Sequence, residues 1–525
     1  MIFSKRKKPH PIATRIIMVI LLLAFLNSTS GCTVKRVRQV SKEELAKGTE
    51  PIVEDIVEVV LSNGDVVKFS RSTGSFDRSN GVISGYDLAT GMRVGLNIDD
   101  MLYVRILRVH TGLSILATAG IVAATAAVIA LIIVNLPEDD DTAGPQSCPF
   151  VYSYDGENYI FDAEPLGGAI SEGLKKTDYS RLEHLKGVEG KYHLLLRNEL
   201  DETQYTDAIK LLVVDHSQSS EIVPDLRGTF YSVEMPVAAR FAVDEDGKDL
   251  MKFVKEQDGI AWQTHLPTDT SFQGQNLRHR LIFRFPKPPD AKTVKLVVNA
   301  GTGLWGSNIT RKMLQLRGNR VDAWYEDVDK GGPELMKLIQ FVEREELYVL
   351  KIHVKEGQSW VQRGFISGGG PLINEDRIIP LDLSNVPGDT LTIRLNPPMG
   401  FWAIDYIGVE YEDFPPPEVK QVPLASATDQ YGEDVSQLLR TTDNKYQVLP
   451  EVGDWVKVSF DVPAEREGTK RSVFLETSGY YEIHILKDQP EQTDLIDKLL
   501  TTPGTIVEFA MNEYVKWRHL QLHRD

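Results

Sequence analysis

Along most of the chain, apolar residues alternate with polar ones in short runs bounded by turn residues, which is the pattern of β-strands. Between positions 53 and 109 such runs fall at 56–61, 66–69, 81–85, 92–96 and 102–106. Gly-containing turns separate several of these runs. Strands this short and this closely spaced predict a small, strongly curved antiparallel barrel of the SH3-like type over residues 51–110.

Two longer apolar stretches interrupt the alternation. Ile16–Leu26 follows a basic segment and is too short to cross a bilayer, so residues 1–31 are predicted to be a signal peptide. Residues 32–50 are polar and predict a tether. Residues 111–137 carry no charged side chain and predict one apolar helix of the transmembrane type. An acidic linker is predicted to follow at 138–149.

The rest of the chain is predicted to be mainly β with short helices. Val151–Tyr154 and Tyr159–Asp162 flank the turn Asp155–Asn158, which indicates a hairpin. Further strands are predicted at 192–196, 208–214, 281–285, 294–298, 347–354, 391–395, 456–460 and 473–476. Short helices are predicted near 250–256, 334–343, 435–440 and 495–500.

An internal repeat divides this region. The nine residues from Ala242 align without gaps on the nine from Ala427, at an offset of 185 residues, and an Asp-x-x-Gly-x-Asp core is common to both. A period of that length indicates duplicated domains rather than a solenoid. The sequence therefore predicts a β domain at 150–235 and two β-sandwich repeats, the first at 236–420 with an insertion and the second at 421–525.

The charge and cysteine content narrow the classes of partner. The chain has a formal net charge of -17, and removal of the basic leader makes it more negative. Such a field repels phosphate backbones, so no nucleic acid partner is expected. The two cysteines are Cys32 and Cys148, and no disulfide framework is expected if Cys32 carries lipid.

The two Asp-rich turns are candidates for a cation site. Their carboxylates, Asp244, Asp249, Asp429 and Asp434, are the hard oxygen ligands that Ca²⁺ prefers, but the spacing is not that of an EF-hand loop. A glycine turn followed by an Asp that caps a short helix accounts for more of the pattern. We therefore expect no metal and no cofactor.

Aromatic residues offer a candidate ligand-binding surface. We expect this surface to contain Trp402, Tyr406 and Trp360, together with Asp405. Aromatic side chains are typical of such sites because stacking supplies affinity for sugars and peptides. No nucleophile elbow, metal motif or nucleotide loop occurs in the sequence. The alternative is a carbohydrate-active enzyme that uses an Asp/Glu pair in an aromatic-lined cleft.

Three motifs carry resemblances. Thr29-Ser30-Gly31-Cys32 resembles a bacterial lipobox, which implies acylation of Cys32, although Thr29 stands where Leu is usual. The block Cys148–Gly156 with Phe161–Ile170 resembles one found in uncharacterised exported bacterial lipoproteins. Phe401–Ile407 resembles the closing strand of galactose-binding-like β-sandwiches, which is an analogy of fold and implies no sugar ligand.

Together these observations predict a mainly β protein with a non-catalytic role. We expect a cell-envelope lipoprotein with a binding or structural function, anchored to a membrane, with its C-terminal domains outside the cytoplasm. Arg105 and Arg108 precede the apolar stretch and acidic residues follow it, which favours that orientation. The expected partners are the membrane and an unknown envelope protein or glycan.

Overall fold

The structure, a computed structural model, describes residues 36–41, 56–62, 66–69, 75–77, 80–86, 93–108 and 149–522. The described chain is mainly β, as predicted, and its strands form several sheets. It divides into two compact units, residues 1–121 and 122–525.

The first unit contains short antiparallel strands around a small apolar core. The strands are β1 (Arg36–Ser41), β2 (Ile56–Leu61), β3 (Val66–Lys68), β4 (Ser75–Asp77), β5 (Val82–Tyr86), β6 (Arg93–Asn97) and β7 (Met101–Arg108). They form a sheet in the order β1-β7-β2-β3 and a second in the order β4-β5-β6. Ile56, Val59, Phe69, Ile83 and Val104 are buried together in the core. Strand β1 falls in the segment predicted to be a tether, where it pairs with β7.

No helix among the described residues is both long and apolar enough to cross a bilayer. The predicted signal peptide, Cys32, the predicted apolar helix at 111–137 and most of the acidic linker lie outside the described residues.

The second unit contains most of the strands and all the described α-helices. The strands are β8 (Phe150–Tyr154), β9 (Tyr159–Ala163), β10 (Lys176–Arg181), β11 (Lys191–Arg197), β12 (Glu202–His216), β13 (Glu221–Pro224), β14 (Phe230–Val233), β15 (Val237–Ala238), β16 (Phe241–Val243), β17 (Trp262–Gln263), β18 (Leu281–Pro286), β19 (Thr293–Thr302), β20 (Val349–Glu356), β21 (Ser359–Ser367), β22 (Glu375–Asp382), β23 (Thr390–Leu395), β24 (Trp402–Glu410), β25 (Val419–Asp429), β26 (Gln447–Leu449), β27 (Trp455–Asp461) and β28 (Lys470–Ile483). The helices are α1 (Met251–Val254), α2 (Leu304–Gln315), α3 (Val321–Asp329), α4 (Pro333–Glu345), α5 (Thr493–Thr501) and α6 (Thr505–Leu522).

The first sandwich is assembled from two separate parts of the sequence. Its strands follow the order β10-β28-β12-β25-β27-β11-β8-β9, with β26 attached to β12. Strand β25 pairs with β12 through Val419–Pro423 and with β27 through Leu424–Asp429, with a bulge between Leu424 and Ser426. The sheet thereby folds over itself, and apolar residues from both halves, such as Leu194, Leu211 and Phe460, share one core. The segments predicted as separate domains at 150–235 and 421–525 therefore join in one sandwich.

The second sandwich is inserted between β14 and β25. One of its sheets has the order β15-β24-β19-β22, with β17 attached to β24, and the other has the order β16-β18-β23-β20-β21. Helices α2 to α4 lie in sequence between β19 and β20. The C-terminal helices α5 and α6 return to this inserted sandwich, where Leu499, Ile506 and Met511 join its core.

The two repeats contain the same turn. Gly247 and Gly432 both have positive φ, of 79° and 85°, and each follows an Asp whose carboxylate accepts two backbone N–H groups of the turn. The N–H of Leu250 bonds to the carbonyl of Ala242 just as that of Val435 bonds to Ala427. Helix α1 follows in the first repeat, and a single 3₁₀ turn follows in the second.

Candidate functional site

A cleft of about 780 Å³ lies between the first and the inserted sandwich. The first sandwich contributes Phe161, Tyr179 and Phe474 to its walls, and the inserted sandwich contributes Trp402 and Asp405. Two of the four residues predicted for ligand binding thus line one cavity. Its size is that of a typical small-ligand site.

Asp405 reaches the cleft because of a β-bulge. Asn299 of β19 pairs with Tyr406 and the next residue, Ala300, pairs with Ile404, so Asp405 is the extra residue on β24. Before the bulge Ile404 faces the core, and after it Ile407 does. A bulge re-aims side chains in this way, and bulges are common next to functional sites.

The carboxyl group of Asp405 is buried and incompletely hydrogen-bonded. Only 3% of the residue is exposed, and Oδ2 accepts the N–H of Gly259 at 3.0 Å. Oδ1 is buried and has no hydrogen-bond partner among the described residues. Burial raises the pKa of Asp405, and the nearby charge of Asp258 adds to the effect. Asp405 therefore contributes to the wall of the cleft a buried carboxyl group, one oxygen of which is out of contact with solvent and without a hydrogen-bond partner among the described residues.

The neighbours of Asp405 on β24 serve the packing of the two sandwiches. The Trp402 ring is 2% exposed, lies in the core of the inserted sandwich and donates from Nε1 to the carbonyl of Glu346 at 2.8 Å. Tyr406 lies on the other face of the sheet, among apolar residues that include Val223 of β13 and Ile378 of β22. Neither ring offers an open face for stacking on a ligand.

Trp360 lies elsewhere, on the outer sheet face of the inserted sandwich. It belongs to β21, and the guanidinium of Arg394 stacks on its ring at 4.4 Å from the centroid. It does not line the cleft. The structure therefore brings Trp402 and Asp405 together and leaves Trp360 at a separate surface.

Other carboxylates of the cleft are held by the protein itself. Asp162 accepts the backbone N–H groups of Glu183 and His184, both at 3.0 Å, and contacts Nδ1 of His184 at 2.8 Å. Glu164, just after β9, accepts the N–H of Leu372 in the inserted sandwich at 2.9 Å. These groups position backbone segments, so they are poorly placed to act as acids or bases.

A buried group of ionic residues joins β10 of the first sandwich to β22 of the inserted one. We call Asp178, Ser180, Glu375 and Arg377 the interface ion cluster. Arg377 pairs with Asp178 at 3.1 Å and with Glu375, and Ser180 donates to Glu375 at 3.2 Å. Arg377 also donates to the carbonyl of Tyr179 at 3.3 Å. The cluster fixes one sandwich against the other and thereby fixes the width of the cleft.

The pKa values of the two acids of the interface ion cluster are shifted in opposite directions. Burial raises the pKa of Glu375 to about 7, although the charge of Arg377 opposes the shift. Burial also acts to raise the pKa of Asp178, but the charges of Lys176 and Arg377 outweigh it and hold that pKa below its usual range. Two carboxyls share the guanidinium of Arg377, but Asp178 also pairs with Lys176 at 3.2 Å, so Asp178 is the one that stays ionised.

The loop that borders the cleft from the inserted side begins with three consecutive glycines. Gly368 to Gly370 are buried, and a Cβ on Gly370 would lie 2.1 Å from Oε2 of Glu164. A Cβ on Gly167 would lie 2.7 Å from the backbone of Gly369. The run of three glycines is the signal of this close approach, because only glycine lets two backbones come so near.

The Asp-rich turns hold their carboxylates in backbone hydrogen bonds. Asp249 accepts the N–H of Met251 and Asp434 that of Ser436, both at 2.9 Å, while Asp244 and Asp429 hold the turns described above. No group of three or more potential ligands for a metal ion occurs among the described residues.

The two comparisons of the sequence with known proteins find no relative from which a role could be transferred. No protein-family model matches the sequence, and no curated protein does. A chain from the atomic structure of the Sulfolobus turreted icosahedral virus aligns with 64% of this chain and 99% of its own length. That alignment has 8% sequence identity and a TM-score of 0.13, a likeness too low to bear on fold or function.

Proposed function

We propose that the protein is a non-catalytic lipoprotein of the cell envelope that binds an envelope glycan in the cleft between its two sandwiches. The observation that carries the proposal is the state of the cleft carboxylates. Asp162, Glu164 and Glu375 are held in contacts that position the protein's own backbone or join the sandwiches. A cavity whose walls are fixed in this way suits binding, because little conformational freedom is lost when a ligand enters.

The remaining polar groups of the cleft suit the hydroxyl groups of a sugar. Gln257, Gln263 and Asn374 line it with planar amides, and Trp305 adds a partly exposed aromatic ring. Amides donate and accept hydrogen bonds at once, as sugar hydroxyls do.

Anchoring and the finer fold assignments belong to the same proposal. The lipobox-like Thr29–Cys32 supports acylation of Cys32 and membrane attachment, with residues 148–525 outside the cytoplasm. The apolar composition of 111–137 supports a helix that packs with partner helices or enters the membrane. The short antiparallel strands of the first unit support an SH3-like barrel, and the inserted sandwich is the candidate for the galactose-binding-like fold.

A carbohydrate-active enzyme is the second candidate, and one observation favours it. Glu183 is exposed at the edge of the cleft, whereas Asp405 is buried in its wall. Glu183 forms no ion pair with a described residue. One carboxyl with a raised pKa and a second in water is the division found in glycosidase acid and base pairs.

Binding and turnover can be measured on the same sample. Full-length protein, extracted from membranes in detergent, is titrated into fluorescent oligosaccharides, and the mixtures are then analysed by chromatography. We expect saturable binding without new products, and about tenfold weaker binding for Gln263→Ala, which corresponds to about 1.4 kcal/mol. Gln421→Ala, at an exposed position of β25, is the matched control and should bind normally.

The result that contradicts the proposal is product formation. If sugar is hydrolysed and the hydrolysis is lost in both Asp405→Asn and Glu183→Gln, the protein is an enzyme. If no oligosaccharide binds, the cleft is not a glycan site.

A further inference from the structure

The outer face of the sheet β16-β18-β23-β20-β21 carries a concentration of positive charge. Alternation along the strands turns Phe283 and Ile393 into the core and turns Arg284 and Arg394 outward. Arg280, next to β18, and Lys355, on β20, line the same shallow depression of about 650 Å³. We call Arg280, Arg284, Lys355 and Arg394, with the rings of Phe241 and Trp360, the basic face.

Among the described residues, the cations of the basic face are not paired directly with carboxylates. None of the four forms an ion pair with a described residue, whereas Arg181, Arg278, Arg317, Arg363, Arg377 and Arg471 all do. The chain has a formal net charge of -17, so a face that carries four unpaired cations is opposite in sign to the charge of the whole protein.

The acids at the edge of the basic face are already engaged. Asp244 holds the N–H groups of its turn, and Glu245 accepts the backbone N–H of Arg280 at 2.9 Å and contacts His279 at 2.8 Å. Both keep their negative charge, but the four cations that line the depression outnumber these two acids, so its net charge is positive.

Aromatic rings hold two of the guanidiniums in place. Arg284 stacks on Phe241 at 4.6 Å and Arg394 on Trp360 at 4.4 Å from the ring centroids. Stacking leaves the N–H groups at the edge of the guanidinium free, and that edge matches the two oxygens of a carboxylate. The two arginines are thus preorganised for anions.

The spacing of the cations fits a linear ligand. Arg284 of β18 lies opposite Thr392 of β23, and Arg394 lies two residues further along the same strand. Such diagonal neighbours are about 7–8 Å apart. Thr390 and Thr392 line the same depression and provide hydroxyl groups beside the cations.

We propose that the basic face binds a linear acidic polysaccharide through the carboxylates of its uronic acid units. The hydroxyl groups of such a polymer match the threonines, and its charge density is lower than that of nucleic acid. DNA carries one charge per about 1.7 Å of helix axis, which the negative field of this protein opposes most strongly. The basic face is separate from the cleft, so this inference does not rest on the glycan proposed there.

Affinity electrophoresis of the full-length protein through gels containing polygalacturonate tests the proposal. We expect retardation by polygalacturonate, none by neutral dextran, and weaker retardation at high salt. The double variant Arg284→Gln/Arg394→Gln should bind at least tenfold more weakly. The matched control Lys252→Gln/Arg320→Gln removes two exposed cations of the inserted sandwich outside the basic face and should bind within twofold of the unchanged protein.

Three results would overturn the inference. They are no retardation by polygalacturonate, an equal loss in both double variants, and equal or stronger binding of single-stranded DNA. If the double variant does not fold, the single variant Lys355→Gln, at an exposed position, should still weaken binding severalfold. Gln263→Ala should leave polygalacturonate binding unchanged, which separates this site from the cleft.

Discussion

The buried carboxyl of Glu202 leads to a quantitative prediction about stability. Glu202 begins β12, is fully buried, and accepts the side-chain amide of Gln204 at 2.9 Å through Oε1. Its Oε2 is buried with no hydrogen-bond partner among the described residues. Burial raises the pKa of Glu202 from its ordinary value of 4.5 to about 8, although Gln204 and the charge of Arg311 oppose the shift.

The sign of the effect follows from proton binding. Between pH 4.5 and about 8 the folded protein keeps the proton on Glu202, while the unfolded chain loses it. The free energy of unfolding therefore falls as pH rises through this window, and the Glu202 contribution becomes constant above it. At about 1.36 kcal/mol per pH unit the full loss is about 5 kcal/mol. Water that reaches the ionised group reduces it, so we expect about 2–5 kcal/mol.

The variant Glu202→Gln removes the proton and keeps the shape. Urea unfolding followed by tryptophan fluorescence should give similar stabilities for the two proteins at pH 4, where Glu202 is largely protonated in both the folded and the unfolded chain. At pH 9 the variant should be more stable by about 2–5 kcal/mol. Glu433→Gln, at an exposed position, is the control. Parallel stability curves for Glu202→Gln and the unchanged protein would refute the reasoning.

Three further predictions follow from other sites. Arg377→Met leaves the two acids of the interface ion cluster without the guanidinium they share. It should lower the free energy of unfolding by about 3–5 kcal/mol at pH 7, with part of the loss recovered at pH 5. A loss below 1 kcal/mol would contradict this. Asp244→Ala and Asp429→Ala each remove two hydrogen bonds from equivalent turns, so each should cost about 1–2 kcal/mol in denaturant unfolding, and clearly unequal costs would argue against equivalence. Cys32→Ser should abolish labelling with a palmitate analogue, and a phosphatase fused to the C-terminus should be active; persistent labelling or a silent fusion would contradict the anchoring.

Alternation along the chain was enough to predict the class of fold and many of the strands. The strand predicted at 56–61 matches β2, and the strand predicted at 281–285 matches β18 closely because one face of β18 is more buried than the other. Helices α2, α3 and α6 were missed in the sequence, although Trp305, Ile309 and Met313 in α2 follow a spacing of four residues. That spacing was obscured by Gly306, Ser307 and Asn308, because these residue types disfavour helices.

Strand partners and the cleft lay beyond the sequence patterns. The repeat showed that the segments near Ala242 and Ala427 are similar, but not that the second completes a sandwich begun before the first. Asp405 was predicted as a site residue together with the aromatic residues Trp402 and Tyr406, and its place in the wall of the cleft depends on a bulge that no periodicity records. The pairing of β10 with β22 through buried ions depends on distances between residues about 200 positions apart, which only a folded chain defines.

The insertion of one sandwich into the other sets the order in which the chain can fold. Strands β12 and β28 are partners, but roughly 250 residues separate them, and at 5–20 residues per second β28 is synthesised about 10–50 s after β12. The inserted sandwich begins at β15 and ends at β24, and Val237 of β15 pairs with Val409 of β24. Once it is folded, its first and last strands lie side by side. The chain therefore enters and leaves the inserted sandwich at the same place, and the segment between the two halves of the first sandwich is effectively short. The inserted sandwich should therefore fold first, and until it does the apolar residues of β12 have no lasting cover.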